Sequence, residues 1–384
     1  MRGAVSNDRP YRDQHLDPDH KSILIDLVKK YTKMPVFKVE DGMQVQPNCV
    51  YIIPPNRDLA FLHGKLHLME PSAPRGLRLP IDYFFRSLAQ DQRERAIGIV
   101  LSGTGTDGAL GLKAIKGEGG IALAQAPESA AYDGMPRSAI ATGAMDYVLP
   151  PEQMPEQLIA YVQRAFGHSA RPIAAPAGIN DDVLKRVYIL LRAQTGHDFS
   201  LYKPNTINRR VERRMAVTQI DRLEDYVRYL QQNPVEVETL FHELLIGVTN
   251  FFRDPLAFAV LQEHVVPQLF KSPAGIVRVW VPGCSAGEEA YSLAILLQEY
   301  VDDVKQNVRN LRVQVFATDI DAASIEKARA GIYPDSIAAD VSPERLARFF
   351  VREGNTYCIR KTIRDRVVFA QQDVIKAHPF PKWT

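Results

Sequence analysis

The stretch VRVWVPGCSAGEEAYSLAILL, Val277 to Leu297, is answered downstream by VQVFATDIDAASIEKA, Val313 to Ala328. The alternating apolar run Val277 to Val281 predicts a strand that breaks at Pro282 and Gly283 into a loop of small residues. An amphipathic helix is predicted to open at Glu288. A strand, loop and helix in this order leave free backbone N–H groups where a small anionic group can sit. The second apolar strand, Val313 to Ala317, runs into Asp319, the place where doubly wound nucleotide folds carry a ribose-binding acid. The loop has neither the glycine fingerprint for a pyrophosphate nor the lysine of a P-loop. That combination predicts a nucleoside cofactor without a phosphate chain, with S-adenosylmethionine the leading candidate.

Working outward, 384 residues are long for one domain, and two or three are expected. With 46% hydrophobic and 24% charged residues the chain has the balance of a globular protein, and a net charge of +2 gives no general preference for polyanions. Cys49, Cys284 and Cys358 lie far apart, which predicts neither a disulfide framework nor a zinc site and fits a reducing, cytoplasmic compartment. No apolar stretch is long enough to span a bilayer, so no membrane insertion is expected.

Upstream of about residue 165, apolar runs alternate with helical patterns: Val50 to Ile53, Ile97 to Leu101 with a helix from Ala109, then Ile121 to Ala124. This predicts an α/β domain with a largely parallel sheet over 1–165. A Pro/Ala/Gly-rich linker follows over 166–180, and then a helical unit over 181–270 with apolar residues at three- and four-residue spacing. A second α/β domain is expected over 275–384, interrupted by a turn-rich insertion, Tyr333 to Asp365.

In the first domain, IGIVLSGTGTDGALGLKAI places Asp107 in a glycine loop at the carboxyl end of a strand. Taken alone, such an Asp is more often an Asx cap of a turn, and a lone histidine such as His15 is more often structural. Together, His15–Ser22, GTGTDGA and AYDGMPRSAIATG (Ala131 to Gly143) resemble the CheB-type chemotaxis receptor methylesterase domain. That resemblance implies hydrolysis of glutamyl methyl esters by a Ser–His–Asp triad, with His15 as the base, Asp107 as the group that fixes its tautomer, and Met135 bordering the site. The family's nucleophilic serine lies upstream of the histidine in a glycine-rich turn. Here only Ser6 precedes His15, without that turn, so the esterase is expected to be silent.

Asn208 to Met215, LLIGVTNFFRDPLAF (Leu244 to Phe258), VPGCSAGEEAYS, ATDID and RVVFAQQDV (Arg366 to Val374) occur in one order, and together they resemble the CheR-type receptor methyltransferase. The whole chain is thus similar to a CheB–CheR fusion. The implied fold is α/β: a partial doubly wound methylesterase domain, a helical subdomain, and a partial doubly wound S-adenosylmethionine-dependent methyltransferase domain with a small β insertion. The resemblance implies that the amides from Cys284 to Glu288 face the methionyl part of the cofactor and that Asp319 takes the ribose. It places Asp373 and Val374 on the adenine side, and Thr249 and Arg253 at the edge of the helical domain against the cofactor. Read without it, Thr249 is a helix cap, Arg253 a surface ion-pair donor and Glu288 a first-turn carboxylate. Gly247 stands where the family often has asparagine.

Arg209, Arg210, Arg213 and Arg214 form a basic helical turn, which by default is a solvated face. The resemblance implies instead that they dock on the glutamate-rich methylation helices of chemoreceptors, where arginine suits carboxylates. No stacking aromatics interleave with them, which argues against nucleic acid. A sensor kinase is a further candidate partner. HPFPKWT closes the chain soon after the adenine-side strand, so a shortened sheet with an unpaired central strand is expected. The competing expectation is a non-catalytic adaptor or gene fragment that only binds receptors or kinases.

Overall fold

The computed structural model describes residues 23–71, 78–166, 181–247, 249–270, 276–304, 312–354 and 356–376. Ser6, His15 and residues 167–180 of the expected linker lie outside them.

In the first unit, Ile97–Val100, Ile121–Gln125 and Tyr147–Leu149 form a parallel sheet in that order. The middle strand is buried at every residue, which explains its unbroken run of small and branched apolar side chains. Its Ala122 and Ala124 face Phe85, Leu112 and Ile115 of the helices Pro80–Gln92 and Ala109–Gly117. Ile121 and Leu123 face the opposite way, onto Tyr161 of the helix Met154–Phe166. Upstream of this sheet the pairing is mixed, with Val36–Lys38 parallel to Val50–Ile52. Asp58–Leu62 and Lys65–Met69 pair antiparallel, because His63 (φ 50°) and Gly64 (φ 78°) close a two-residue hairpin with positive φ at both positions.

The helices Asp181–Thr195, Pro204–Val217, Leu223–Gln232 and Pro234–Leu244 enclose a second core around Val187, Leu191, Phe199, Tyr226 and Leu240. Pro204 and Pro234 sit in the first turn, where the missing N–H removes no helical bond. From Phe251 onward the segment expected to close this unit packs elsewhere. Phe251, Phe252 and Val266 belong to the core of the third unit, with Phe251 edge-on to Tyr333 and Phe350 at 4.8 and 5.5 Å.

The third unit is a parallel sheet in the order Val367–Gln371, Arg312–Asp319, Ile276–Pro282. The helix Glu288–Val304 covers it through Ala290, Tyr291, Ala294 and Ile295, all fully buried. Among the described residues Ile276–Pro282 has a strand neighbour on one side only. The insertion carries a small antiparallel sheet of Ile332–Pro334, Thr356–Ile359 and Phe350–Glu353.

Candidate functional site

In-register pairing aligns Pro282 with Thr318 and Asp319 with Gln371, so the three strands release their chains at one edge of the sheet. Ser285 N–H donates to Asp319 Oδ2 at 2.7 Å, Asp321 N–H donates to Oδ1 at 2.9 Å, and Cys284 N–H donates to the Thr318 carbonyl at 3.0 Å. The loop is therefore locked across the strand ends, with Ser285 held at φ 49°. Gly287 is required here: its φ is +94°, and a Cβ would stand 3.0 Å from Ala328 and 3.1 Å from the Phe369 ring. Glu288 then enters the helix buried, and its Oε2 makes no hydrogen bond among the described residues. Burial raises the Glu288 carboxyl above its usual range, against the pull of the Lys113 ammonium. Burial, and then the charge of Asp319, push the Cys284 thiol up to about 12, which leaves it an inert packing group.

The segment from Gly247 straps this loop. A Cβ on Gly247 would come within 2.5 Å of Ser285 Oγ, so the glycine that stands where the family often has asparagine is demanded by close approach of the loop. Thr249 is half-buried and Arg253 exposed. Phe252 N–H donates to Ser292 Oγ at 2.9 Å, and Ser292 Oγ donates to the Glu288 carbonyl at 2.7 Å, tying the strap to the helix that Glu288 opens. Phe252 (φ 50°) and Asp254 (φ 66°) are both in left-handed conformations, so backbone strain is concentrated in this strap.

At the third strand end, Asp373 accepts a hydrogen bond from His197 Nδ1 at 3.2 Å and another from Ile375 N–H at 3.0 Å, while Val374 is exposed. Burial opposes ionisation of Asp373, but the His197 hydrogen bond and the Lys376 charge outweigh it and hold its carboxyl below the usual range. His197 stacks on Phe241 at 5.4 Å. Burial, and then the charges of Asp373 and Asp319, raise the Tyr202 phenol. His197 and Tyr202 come from the loop between the first two helices of the helical unit, too far away in sequence for any motif to have linked them to the loop at Cys284.

The four arginines part company. Arg209 is exposed, whereas Arg210, Arg213 and Arg214 are 6, 5 and 7% exposed and are engaged inside the molecule. Arg210 donates to the carbonyls of Lys116 and Gly117 at 3.0 and 2.7 Å, satisfying the end of the Ala109–Gly117 helix. Arg213 donates to the carbonyl of Gly120 at 2.7 Å and to the carboxylates of Asp146 and Glu243. Arg214 grips Glu236 with two hydrogen bonds, 2.9 and 2.7 Å, and Lys116 Nζ is 3.2 Å from Asp146. The expectation that these three dock on a receptor is corrected: Arg210 and Arg213 cement the helical unit to the first domain, and Arg214 is tied to Glu236 within the helical unit. Helical spacing could not reveal this, because Asp146 and the carbonyls at 116–120 lie outside the helix.

Asp107 also has local duties. Its two oxygens accept from the N–H groups of Ile81 and Asp82, at 3.1 and 2.9 Å, capping the helix Pro80–Gln92. Asp82 beneath it is 3% exposed, and burial pushes its carboxyl up to about 7. The same glycine loop meets the insertion, where Thr106 Oγ1 donates to Asp335 at 2.5 Å. One turn along the Pro80 helix, Arg86 donates to Asp340 at 2.6 and 3.2 Å. Among the described residues no helix can cross a bilayer and no cluster can hold a metal ion.

The family comparisons agree with this three-part build. The model of the CheB methylesterase matches residues 13–158, that of the all-alpha CheR methyltransferase domain 182–245, and that of the CheR S-adenosylmethionine-binding domain 247–383. The chain thus carries a stretch matched by the methylesterase family followed by stretches matched by both segments of the methyltransferase family, the order of a CheB–CheR fusion. An uncharacterized 104.1 kDa protein of Rhodobacter capsulatus is 39% identical over 93% of this chain, which spans 39% of that protein. A chemotaxis protein methyltransferase of Salmonella typhimurium is 33% identical over 45% of the chain and 58% of its own length. A protein-glutamate methylesterase/protein-glutamine glutaminase of Burkholderia lata is 35% identical over 39% of the chain and 45% of its own length.

Proposed function

We propose that the chain transfers a methyl group from S-adenosylmethionine to glutamate side chains of chemoreceptors, and that its methylesterase-family domain serves as a structural partner. The observation that carries this reading is the Asp319 carboxylate, pinned between two loop amides at the edge where three parallel strands end. The residues present fit the donor. A buried Glu288 oxygen without a partner suits an ammonium group, the Asp319 carboxylate suits ribose hydroxyls, and Tyr202, Asp373 and Val374 border the adenine side. Thr249 and Arg253 close the methionyl end. When bound, the cofactor supplies a methyl group already activated on a sulfonium. The chain's residues therefore have to align an ionised carboxylate with it and exclude water, and no general base is needed. Support for a structural first domain comes from Arg210 and Arg213, which tie the helical unit to its carbonyls at Lys116, Gly117 and Gly120 and to Asp146. Exposed Arg209 is the member of the basic helix left to meet an acidic receptor helix.

Calorimetric titration with S-adenosylmethionine tests the reading. Wild-type protein should bind, and Asp319→Ala should weaken binding by at least about tenfold. No heat with wild type would return the chain to the class of adaptors.

A further inference from the structure

A cleft of about 370 Å³ runs between the methylesterase-family domain and the strap over the donor loop. One wall is Thr249, Asn250 and Arg253; the other is Arg86, Gln90 and Lys113. Three anions also border it, and each is accounted for. Asp340 is held bidentate by Arg86, Glu118 at the far end of the Ala109 helix lies in the field of Arg210, and Asp254 is exposed. Lys113 is half-buried and, among the described residues, makes no hydrogen bond or ion pair. Thr249 and Asn250 of the cleft wall follow Gly247, whose Cβ position lies 2.5 Å from Ser285 Oγ, so the cleft adjoins the donor loop, and the Lys113 ammonium pulls against the raised Glu288 carboxyl.

We propose that this cleft is the acceptor pocket of the methyl-transfer site, and that Lys113, lent by the methylesterase-family domain, holds the γ-carboxylate of the glutamate to be methylated. The proposal rests on the methyltransferase reading above. In the reaction one carboxylate oxygen forms a bond to the methyl carbon, the carbon–sulfur bond breaks, and its electron pair leaves with sulfur. The negative charge of the acceptor and the positive charge of the sulfonium vanish together, and no proton moves. A lysine on the second oxygen favours the ionised acceptor over the neutral ester. It therefore acts mainly on acceptor binding and product release, and on the chemical step only in proportion to the charge already lost at the transition state.

The test uses the full chain with Lys113→Gln and Lys113→Arg. The probes are labelled S-adenosylmethionine and two alanine-rich helical peptides, one with a single glutamate and one with glutamine in its place. Lys113→Gln should raise KM for the glutamate peptide about tenfold or more with kcat within about threefold, and Lys113→Arg should restore most of it. With the protein saturated by S-adenosylhomocysteine, wild type should bind the glutamate peptide better than the glutamine one, and Lys113→Gln should lose that preference. An unchanged KM, or an undiminished preference in Lys113→Gln, overturns the pocket and leaves the methyltransferase standing. A wild type that binds the donor but shows no preference also overturns the pocket alone. A wild type that binds neither adenosyl compound overturns both.

Discussion

Arg213 and Glu288 are both charged, both buried and both on helices, yet their surroundings differ. Arg213 meets two carboxylates and backbone carbonyls of Gly119 and Gly120, whereas one Glu288 oxygen has no partner among the described residues. A buried charge whose hydrogen-bonding capacity is filled by its own chain belongs to the architecture, since burying it unpaired would cost several kcal/mol. A buried charge left open at a loop of strained backbone is the signature of a site, because the missing partner arrives from outside. The arginine helix and the donor loop thus divide the roles that their sequences seemed to share.

Removing a partner from the arginine network should have the largest effect. Arg213→Ala leaves Asp146 and Glu243 buried beside only Lys116 and Arg214, and chemical denaturation should show a loss of about 3–5 kcal/mol. A loss under about 1 kcal/mol would break the contrast, because exposed arginines behave that way.

Asp82 offers a third case, a buried carboxyl with Oδ1 taken by the Gly111 N–H and Oδ2 without a partner among the described residues. Its pKa of about 7 lies above the ordinary value, so the folded chain holds the proton more tightly than the unfolded one. The stability it contributes is fully present below about pH 4 and is lost as pH rises through 7, by up to about 4 kcal/mol. Melting temperature measured across that window should fall for wild type and stay flatter for Asp82→Asn, which keeps an acceptor for Gly111 and has no charge to bury.

At the donor loop the effect should be smaller and confined to binding. Gly247→Ala pushes a methyl group onto Ser285 Oγ, and S-adenosylmethionine affinity should drop by about tenfold, roughly 1.4 kcal/mol. Ser285→Gly in the same chain should recover most of it, since the glycine removes the clash and tolerates φ 49°. A double-mutant cycle without coupling would separate the strap from the loop.

Much of this site was legible in advance. Strand, loop and helix came at Ile276–Pro282, 283–287 and Glu288–Val304, within a residue of the apolar pattern, and Asp319 closes the next strand as expected. Those features depend on local periodicity and on residues near one another along the chain. His197, Tyr202 and Lys113 were not legible, because each reaches the site from another unit and none belongs to a spaced motif. The strap was misassigned to the helical unit for a related reason: Phe251 and Phe252 have helical neighbours in sequence, but Tyr333 and Phe350 against Phe251, and Arg345 over Phe252, lie 80 to 100 residues further on.

By itself the sequence determined which stretches become strands and helices, where the glycines must turn, and which loop stands at the strand ends beside Asp319. Those outcomes depend on backbone sterics and on alternation of apolar residues. Tertiary structure alone decided the fate of the charges. Whether an arginine recognises a partner or seals an interface depends on which carboxylates and carbonyls surround it, and that is set by packing between domains.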